Sequence, residues 1–329
     1  MAVTITDIAR RSGVAKSTVS RVLNRKTTAV AVSDTTRRLV EKVAHDLNYR
    51  PSFSARALNS GKTRTLGLVC GDFQSPYVSE MVAAEMVAAE ARGYHVLVSV
   101  TQWNPEKELQ CLEMLLERRV EGILMLTDVV RPGNEYYEYF KKERFPVVLQ
   151  ECDYSDVSTL THDCQAGFDE AVAHLKARGH RGVGFVRQEA KPTRDYKMIA
   201  FAQACQKHQV AAVTYDCGVT LDCGKEVGWR IARAANRPSA LIVYSDYMAT
   251  GVIYGLRKQG LSIPEDMAVI GMDGTQLGGV YYPPLTTIDV GITATGGAIV
   301  DLVLRQVEDR NRAPEQLVLP TRLLVRESA

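Results

Sequence analysis

The chain opens on two short amphipathic patterns separated by a glycine. Residues 4–24, T-I-T-D-I-A-R-R-S-G-V-A-K-S-T-V-S-R-V-L-N, place Ile8 and Ala9 inward on a first helix for which the Thr6 hydroxyl can act as N-cap. Gly13 then supplies the positive φ that a tight inter-helix turn needs, and Val14 returns to the core. A second helix sets Val19, Val22 and Leu23 at i, i+3 and i+4, one apolar stripe, and leaves Lys16, Ser17, Ser20 and Arg21 on its surface. Ser33 is the expected N-cap of a third helix whose inward positions are Leu39, Val40, Val43, Ala44 and Leu47. Asn48, Tyr49 and Pro51 mark its exit, because proline disfavours helix in the residue before it. Ser52 to Leu58 is too short for a helix stable alone, and it runs into N-S-G-K-T at 59–63, so the two read together as a hinge.

From Thr65 the pattern changes to short apolar runs alternating with helical segments. Strands are expected at Leu66–Cys70, His95–Val100, Gly122–Leu126, Val147–Leu149, Val183–Val186, Ala212–Tyr215, Ala240–Tyr244 and Ala268–Met272. Amphipathic stretches lie between them at Val78–Arg92, Pro105–Arg118, Gln165–Arg178, Lys197–His208, Lys225–Ala235 and Tyr247–Gln259. Such alternation specifies doubly wound parallel α/β sheets. A break near residues 150–163 divides the strands into two similar lobes. The tail returns through P-P-L-T-T-I, a long helix at Ile292–Glu308 and a last segment at Leu317–Val325.

Charge separates the two parts of the chain. Residues 1–65 hold 13 lysines and arginines against 4 aspartates and glutamates, while the whole chain has 40 against 38. A basic, compact module ahead of an acidic body is the electrostatic footprint of a nucleic-acid reader joined to a domain that should not adhere to DNA. The first two helices then read as a helix-turn-helix, whose second helix has a small, polar N-terminal end that can enter a major groove. At 329 residues with 46% apolar content the chain is long enough for two or three domains. No apolar run reaches membrane-spanning length and no signal peptide is visible, so the expected location is the cytoplasm. Seven cysteines without paired spacing fit reduced thiols.

These motifs resemble those of the lactose/galactose repressor family of bacterial transcription regulators. The marks are T-x-x-D-I-A, G-V-x-x-S-T-V-S-R-V-L-N and N-Y-R-P-S-x-x-A-R-A-L in residues 4–58, then R-G-H-R-G-V-G-F from Arg178, Y-S-D-Y-M-A-T-G from Tyr244, G-L-S-I-P-E-D-M-A-V-I-G-M-D from Gly260, and P-P-L-T-T-I. The resemblance covers essentially the whole chain. It implies a headpiece at 1–50, a hinge helix and linker at 51–64, and a periplasmic-binding-protein-like body at 65–329. Within the body, lobe 1 would be 66–162 with 291–317, and lobe 2 would be 163–289 with 318–329, joined by three crossings. The resemblance further implies DNA contacts from Thr4, Lys16, Ser17, Thr18, Ser20, Arg21, Asn24, Ser54, Ala55 and Leu58. Ala55 and Leu58 would lie on a hinge helix that forms on operator DNA, with Leu58 as a wedge in a central minor-groove step. The loop at Thr27–Val32 is slightly longer than is usual in the family, which leaves nearby phosphate contacts open.

Ligands of open parallel sheets bind at the carboxyl ends of the strands, so the effector chemistry belongs in the cleft between the lobes. The candidates there are Tyr77, Trp103, Glu151, Asp163, Lys191, Thr193, Lys197, Asp246 and Asp273, with Ser75, Gln150 and Arg194 beside them. Rim packing competes for Tyr77 and Trp103, and helix capping competes for Asp246. Asp273 stands out, since it follows a buried strand, where a carboxylate needs partners, and the resemblance implies a ligand hydrogen-bond acceptor there. Lys197 stands where many relatives carry arginine, and a point charge cannot replace a planar fork. Effector identity therefore cannot be copied from relatives; the resemblance implies a sugar or sugar derivative, with Lys191, Arg194 and Lys197 favouring an anionic one or else forming a solvated basic turn. A non-sugar metabolite such as a purine corepressor is the alternative.

An enzyme is the competing class for a doubly wound sheet. Gly182-Val183-Gly184 begins like a dinucleotide loop but has Arg187 in place of the third glycine, and Arg56 stands where a phosphate loop ending in Gly61-Lys62-Thr63 would have its first glycine. No H-E-x-x-H, C-x-x-C or G-x-S-x-G occurs. The expectation is thus a regulator without catalytic residue, cofactor or metal. A sugar-binding transport receptor would need export, which the basic headpiece argues against. The expected partners are palindromic operator DNA, a small-molecule effector and a second copy of the chain. The sequence ends without a heptad-patterned extension, which favours a dimer over a tetramer, with the helices from Val78 and Pro105 expected at its interface.

Overall fold

The computed structural model describes residues 3–23, 32–49, 61–127, 129–189 and 195–329. The chain divides into two compact units, Met1–Thr63 and Arg64–Ala329. In the first, α1 (Ile5–Ser12), α2 (Lys16–Leu23) and α3 (Asp34–Asp46) enclose a core of Ile8, Val19, Val22, Val40, Val43 and Ala44. The cap of α1 is Thr4 rather than Thr6. Thr4 is extended, its Oγ1 accepts from Asp7 N–H, and the Asp7 carboxylate accepts from Thr4 N–H at 3.0 Å. This reciprocal box satisfies two orphan amides at once, which places Thr6 inside the first turn. Gly13 takes the turn at φ 67°. Ser33 caps α3 by accepting from Thr36 N–H. Leu39, expected inside, is 44% exposed, because Val40, Val43, Ala44 and Leu47 already fill the inward stripe and position 39 lies about 100° around the helix from position 40.

In the second unit, the strands and helices run β1 (Thr65–Cys70), α4 (Pro76–Ala91), β2 (His95–Val100), α5 (Pro105–Glu117), β3 (Gly122–Leu126), α6 (Glu135–Lys142), β4 (Val147–Gln150) and β5 (Ser158–Asp163). They continue with α7 (Cys164–Ala177), β6 (Gly182–Gln188), α8 (Tyr196–His208), β7 (Ala211–Cys217), α9 (Leu221–Arg233), β8 (Ala240–Val243), α10 (Asp246–Lys258) and β9 (Ala268–Asp273). The last elements are β10 (Thr286–Asp289), α11 (Ile292–Glu308), β11 (Gln316–Pro320) and β12 (Arg322–Leu324).

Two six-stranded sheets result, in the orders β11-β5-β4-β3-β1-β2 and β12-β10-β9-β8-β6-β7. Every pairing is parallel except β10 with β12. The chain passes between sheets three times: from β5 into α7, from β10 into α11, and at Thr321 between β11 and β12. The last crossing therefore follows Pro320, not Leu317, because β11 pairs along β5 as far as Asp163. Proline is tolerated there since β11 is an edge strand.

Glycines set the closest approach in the second lobe. Gly224 and Gly228 of α9 face Gly251 and Gly255 of α10, and a Cβ at Gly251 would lie 2.3 Å from the Leu221 carbonyl oxygen. All seven cysteines are free, and no helix among the described residues is long and apolar enough to cross a membrane.

Candidate functional site

The headpiece presents its chemistry on α2. Val19 and Val22 turn inward and fix the helix, so Lys16 and Ser17 at its N-terminal end are exposed and Thr18, Ser20 and Arg21 are partly buried. Ala15, which precedes the helix, has no side-chain oxygen to cap it, and its carbonyl accepts from the Thr18 and Val19 N–H groups at 2.9 and 3.0 Å. Thr4 is also exposed, but its hydroxyl donates to Asp7 at 2.7 Å and is occupied in capping. Asn24, Ser54, Ala55 and Leu58 lie outside the described residues, as does most of the expected long loop.

The carboxyl ends of the strands in the second unit bring a compact set together. Tyr77 enters on the first turn of α4, behind Pro76, which is preorganised for that position. Burial lifts its phenol well above the usual range, and the charges of Glu151, Asp273 and Glu85 add to this. Lys197, in the first turn of α8, puts its ammonium 3.8 Å from the centroid of the Tyr244 ring and donates to the Tyr244 carbonyl at 3.4 Å. Burial works against its charge, yet Tyr244, Asp273 and Glu151 outweigh that and hold it above the ordinary lysine range. Asp273 closes β9 at φ 121° and is 6% exposed. A non-glycine residue there is strained. Burial pushes its carboxyl up strongly, with Lys197 opposing and Asp246 and Glu151 reinforcing.

The other expected residues are placed differently. Asp246 is fully buried and accepts from Thr275 N–H and Oγ1 at 2.8 Å each and from Thr287 Oγ1 at 2.6 Å. Its carboxylate anchors the turn after Asp273, and the cap of α10 is Ser245, which accepts from Met248 N–H. Asp163 is exposed and caps α7 by accepting from Gln165 N–H at 3.0 Å. Trp103 follows the edge strand β2. Its indole N–H donates to Asp72 at 2.7 Å, and its ring lies over Gly71, where a Cβ would meet it at 2.1 Å. Gln150 faces the interior, donating to Glu85 at 2.8 Å. Lys191, Thr193 and Arg194 lie outside the described residues.

Four contributors escaped the sequence reading: Tyr244, Glu85, His162 and Thr295. Glu85 was visible in principle, since it falls on the α4 stripe of Val78, Met81, Val82 and Ala89, where an acid interrupts an otherwise apolar face. His162 and Thr295 are 133 residues apart and carry no local signal.

Among the described residues, two contacts bridge the lobes beside this set. The Glu80 carboxylate of α4 accepts from Gln276 N–H at 3.0 Å, and the Tyr196 hydroxyl donates to Asp153.

Comparison with known proteins bears on the family and the fold. The profile described as "Bacterial regulatory proteins, lacI family" matches residues 4–52, and that of a periplasmic binding protein-like domain matches residues 172–329. Catabolite control protein A of Priestia megaterium is 30% identical over 337 residues, covering 100% of this chain and 99% of that protein. The HTH-type transcriptional repressor PurR of Glaesserella parasuis is 31% identical over 331 residues, covering 96% and 94%. Among solved structures, the lac repressor dimer bound to operator and the anti-inducer ONPF superposes with a TM-score of 0.84 at 25% identity, covering 100% of this chain and 99% of that one. The chain therefore belongs to the lacI family of bacterial regulatory proteins, and it is a DNA-binding transcriptional regulator rather than an enzyme.

Proposed function

We propose that the protein is a repressor that binds a palindromic operator as a homodimer in the cytoplasm and is controlled by a neutral, hydroxyl-rich effector, a sugar or sugar derivative, held between its lobes. The observation that carries this reading is the engagement of Lys197. Its ammonium is taken up by the Tyr244 ring and carbonyl and by the charges of Asp273 and Glu151, so the described cleft offers carboxyls and aromatic faces rather than a free cation. Carboxyls accept from hydroxyls, or donate once protonated, and aromatic rings cover the apolar faces of a small ring. That weakens the case for an anionic effector. Tyr77, Glu151, Lys197 and Asp273 form the proposed inner contacts, with Asp163 and Trp103 toward the rim, and Lys191 and Thr193 are retained as candidates from the sequence alone.

Operator contacts are assigned to Lys16, Ser17, Thr18, Ser20 and Arg21, and by resemblance to Asn24, Ser54, Ala55 and Leu58. The dimer reading is supported by adjacent apolar side chains left in solvent on α4, the expected interface helix, where Met86 is 43% and Val87 68% exposed. The effector acts only through its differential affinity for the lobe arrangements that permit or forbid operator binding.

The test is a thermal-shift screen of the full chain against ribose, lactose, cellobiose and purine bases, since a ligand of the native state raises its melting temperature. A shift with a sugar that disappears in Asp273→Ala supports the reading. A shift with a purine alone, or one unaffected by Asp273→Ala, rejects it. Sedimentation as a stable monomer or tetramer would reject the dimer.

A further inference from the structure

His162 is the penultimate residue of β5, one position before Asp163, where the chain leaves the first sheet, and its side chain is 3% exposed. Nδ1 lies 2.6 Å from Glu151 Oε1, and Nε2 lies 3.1 Å from Thr295 Oγ1. The Thr295 hydroxyl donates its single proton to the Val290 carbonyl at 3.0 Å, so its oxygen is left to accept from Nε2–H. One proton then lies between Nδ1 and the Glu151 carboxylate. Glu151 itself is half-exposed at φ 55°, at the cleft end of β4. Val290 and Thr295 flank the second crossing, with Thr295 fully buried in the first turns of α11. Three hydrogen bonds thus lead from a cleft carboxylate to the chain segment that joins the lobes.

That segment has little slack. Thr321, at the third crossing, donates to the Asp163 carbonyl at 2.7 Å and accepts from Gly167 N–H at 3.1 Å, which ties it to the first crossing. A Cβ at Gly167 would meet Ile288 Cγ2 at 2.4 Å and Thr321 Oγ1 at 2.6 Å, so side chains beside all three crossings converge on one glycine. A close-packed junction transmits a displacement instead of absorbing it.

We propose that His162 is a positioning residue that couples Glu151 in the cleft to the inter-lobe crossings, so that a change at Glu151 is felt at Val290–Thr295. The proposal rests on the cleft being the effector site. It deepens that reading by naming the route along which occupancy would reach the hinge, and it concerns a residue that need not touch the effector.

The test uses the full chain without effector and reads backbone hydrogen exchange at residues 290–296 by mass spectrometry. Glu151→Gln should speed exchange there by about fivefold, the equivalent of one typical hydrogen bond. In His162→Gln, whose amide can still reach Thr295 but not Glu151, the further change Glu151→Gln should have no effect, and Thr295→Val should uncouple the crossing in the same way. Non-additivity of this kind is the signature of a shared contact, which loss of packing alone would not produce. His162→Asn, which keeps the donor toward Glu151 and loses the one toward Thr295, should behave like Thr295→Val. Exchange within twofold of the parent in Glu151→Gln, or an equal effect of Glu151→Gln in the parent and His162→Gln backgrounds, overturns the proposal. Failure of every sugar in the thermal-shift screen would remove the effector reading but leave this measurement unchanged, so the two can fail separately.

Discussion

Glu85 offers a quantitative check on the interior of the first lobe. It is fully buried on α4, Oε1 accepts from Gln150, and Oε2 has no hydrogen-bond partner among the described residues. Burial pushes its carboxyl up to about 8, with the Gln150 bond opposing, from an ordinary value of 4.5. The folded protein therefore holds this proton more tightly than the unfolded chain does. The sign follows directly: the stabilising share of Glu85 is fully present below about pH 4.5 and is lost as the pH rises toward 8. The slope for one such group is about 1.4 kcal/mol per pH unit, so about 3 kcal/mol is the ceiling on the loss between pH 5 and 7.5. Glu85→Gln keeps the shape and the acceptor for Gln150 while removing the titration. The variant should match the parent near pH 5 and exceed it at pH 7.5 by up to about 6–12 °C in melting temperature, taking roughly 2–4 °C per kcal/mol for a unit of this size. Only the difference between the two proteins is read, which cancels the other titrating groups. A difference independent of pH between 5 and 8 would mean that Glu85 is not a buried, protonated acid, and the account of the α4 core would be wrong.

The remaining predictions test separate parts of the molecule. Gly251→Ala forces a Cβ to within 2.3 Å of a backbone oxygen on α9 and should cost about 1–3 kcal/mol, whereas Gly297→Ala, in open space on α11, should be neutral or stabilise by up to about 1 kcal/mol. Equal melting temperatures for the two variants would remove the close-approach argument. Asp246→Ala strips the acceptor from three buried donors and should destabilise by about 3 kcal/mol or more in urea titration; unchanged stability with loss of ligand response would instead make Asp246 an effector contact. Lys16→Ala should change which bases are tolerated in a randomised-operator selection, by about 1–3 kcal/mol at the contacted position, and a uniform loss over all sequences would make Lys16 a phosphate contact.

Much of the architecture was legible because it is local. The strands His95–Val100 and Gly122–Leu126 and the helix Ile292–Glu308 have the bounds that their apolar periodicity predicts. Other elements were hidden by their composition. Ser158–Asp163 reads S-T-L-T-H-D, too polar to signal a strand, yet five of its six residues are buried or nearly so because β4 and β11 flank it on both sides. α6, E-Y-Y-E-Y-F-K-K, also went unread, although Tyr137 and Phe140 anchor it.

The amino-acid sequence by itself determined the helix-turn-helix, the charge contrast between headpiece and body, and the two-lobed parallel α/β plan, since each rests on patterns within a few tens of residues. It also singled out Asp273, because the end of a buried strand can be located from periodicity, and Lys197, because the resemblance sets it against an arginine in many relatives. Only the tertiary structure decided what those groups meet. It turned Asp246 from a candidate ligand contact into an anchor for Thr275 and Thr287, set the Lys197 ammonium over the Tyr244 ring, buried Glu85 against Gln150, and joined Glu151 through His162 to Thr295. The physical reason is that hydrogen bonding and desolvation depend on distances across elements far apart in the chain, and the hydrophobic pattern that assembles those elements carries no information about which polar groups will then face one another.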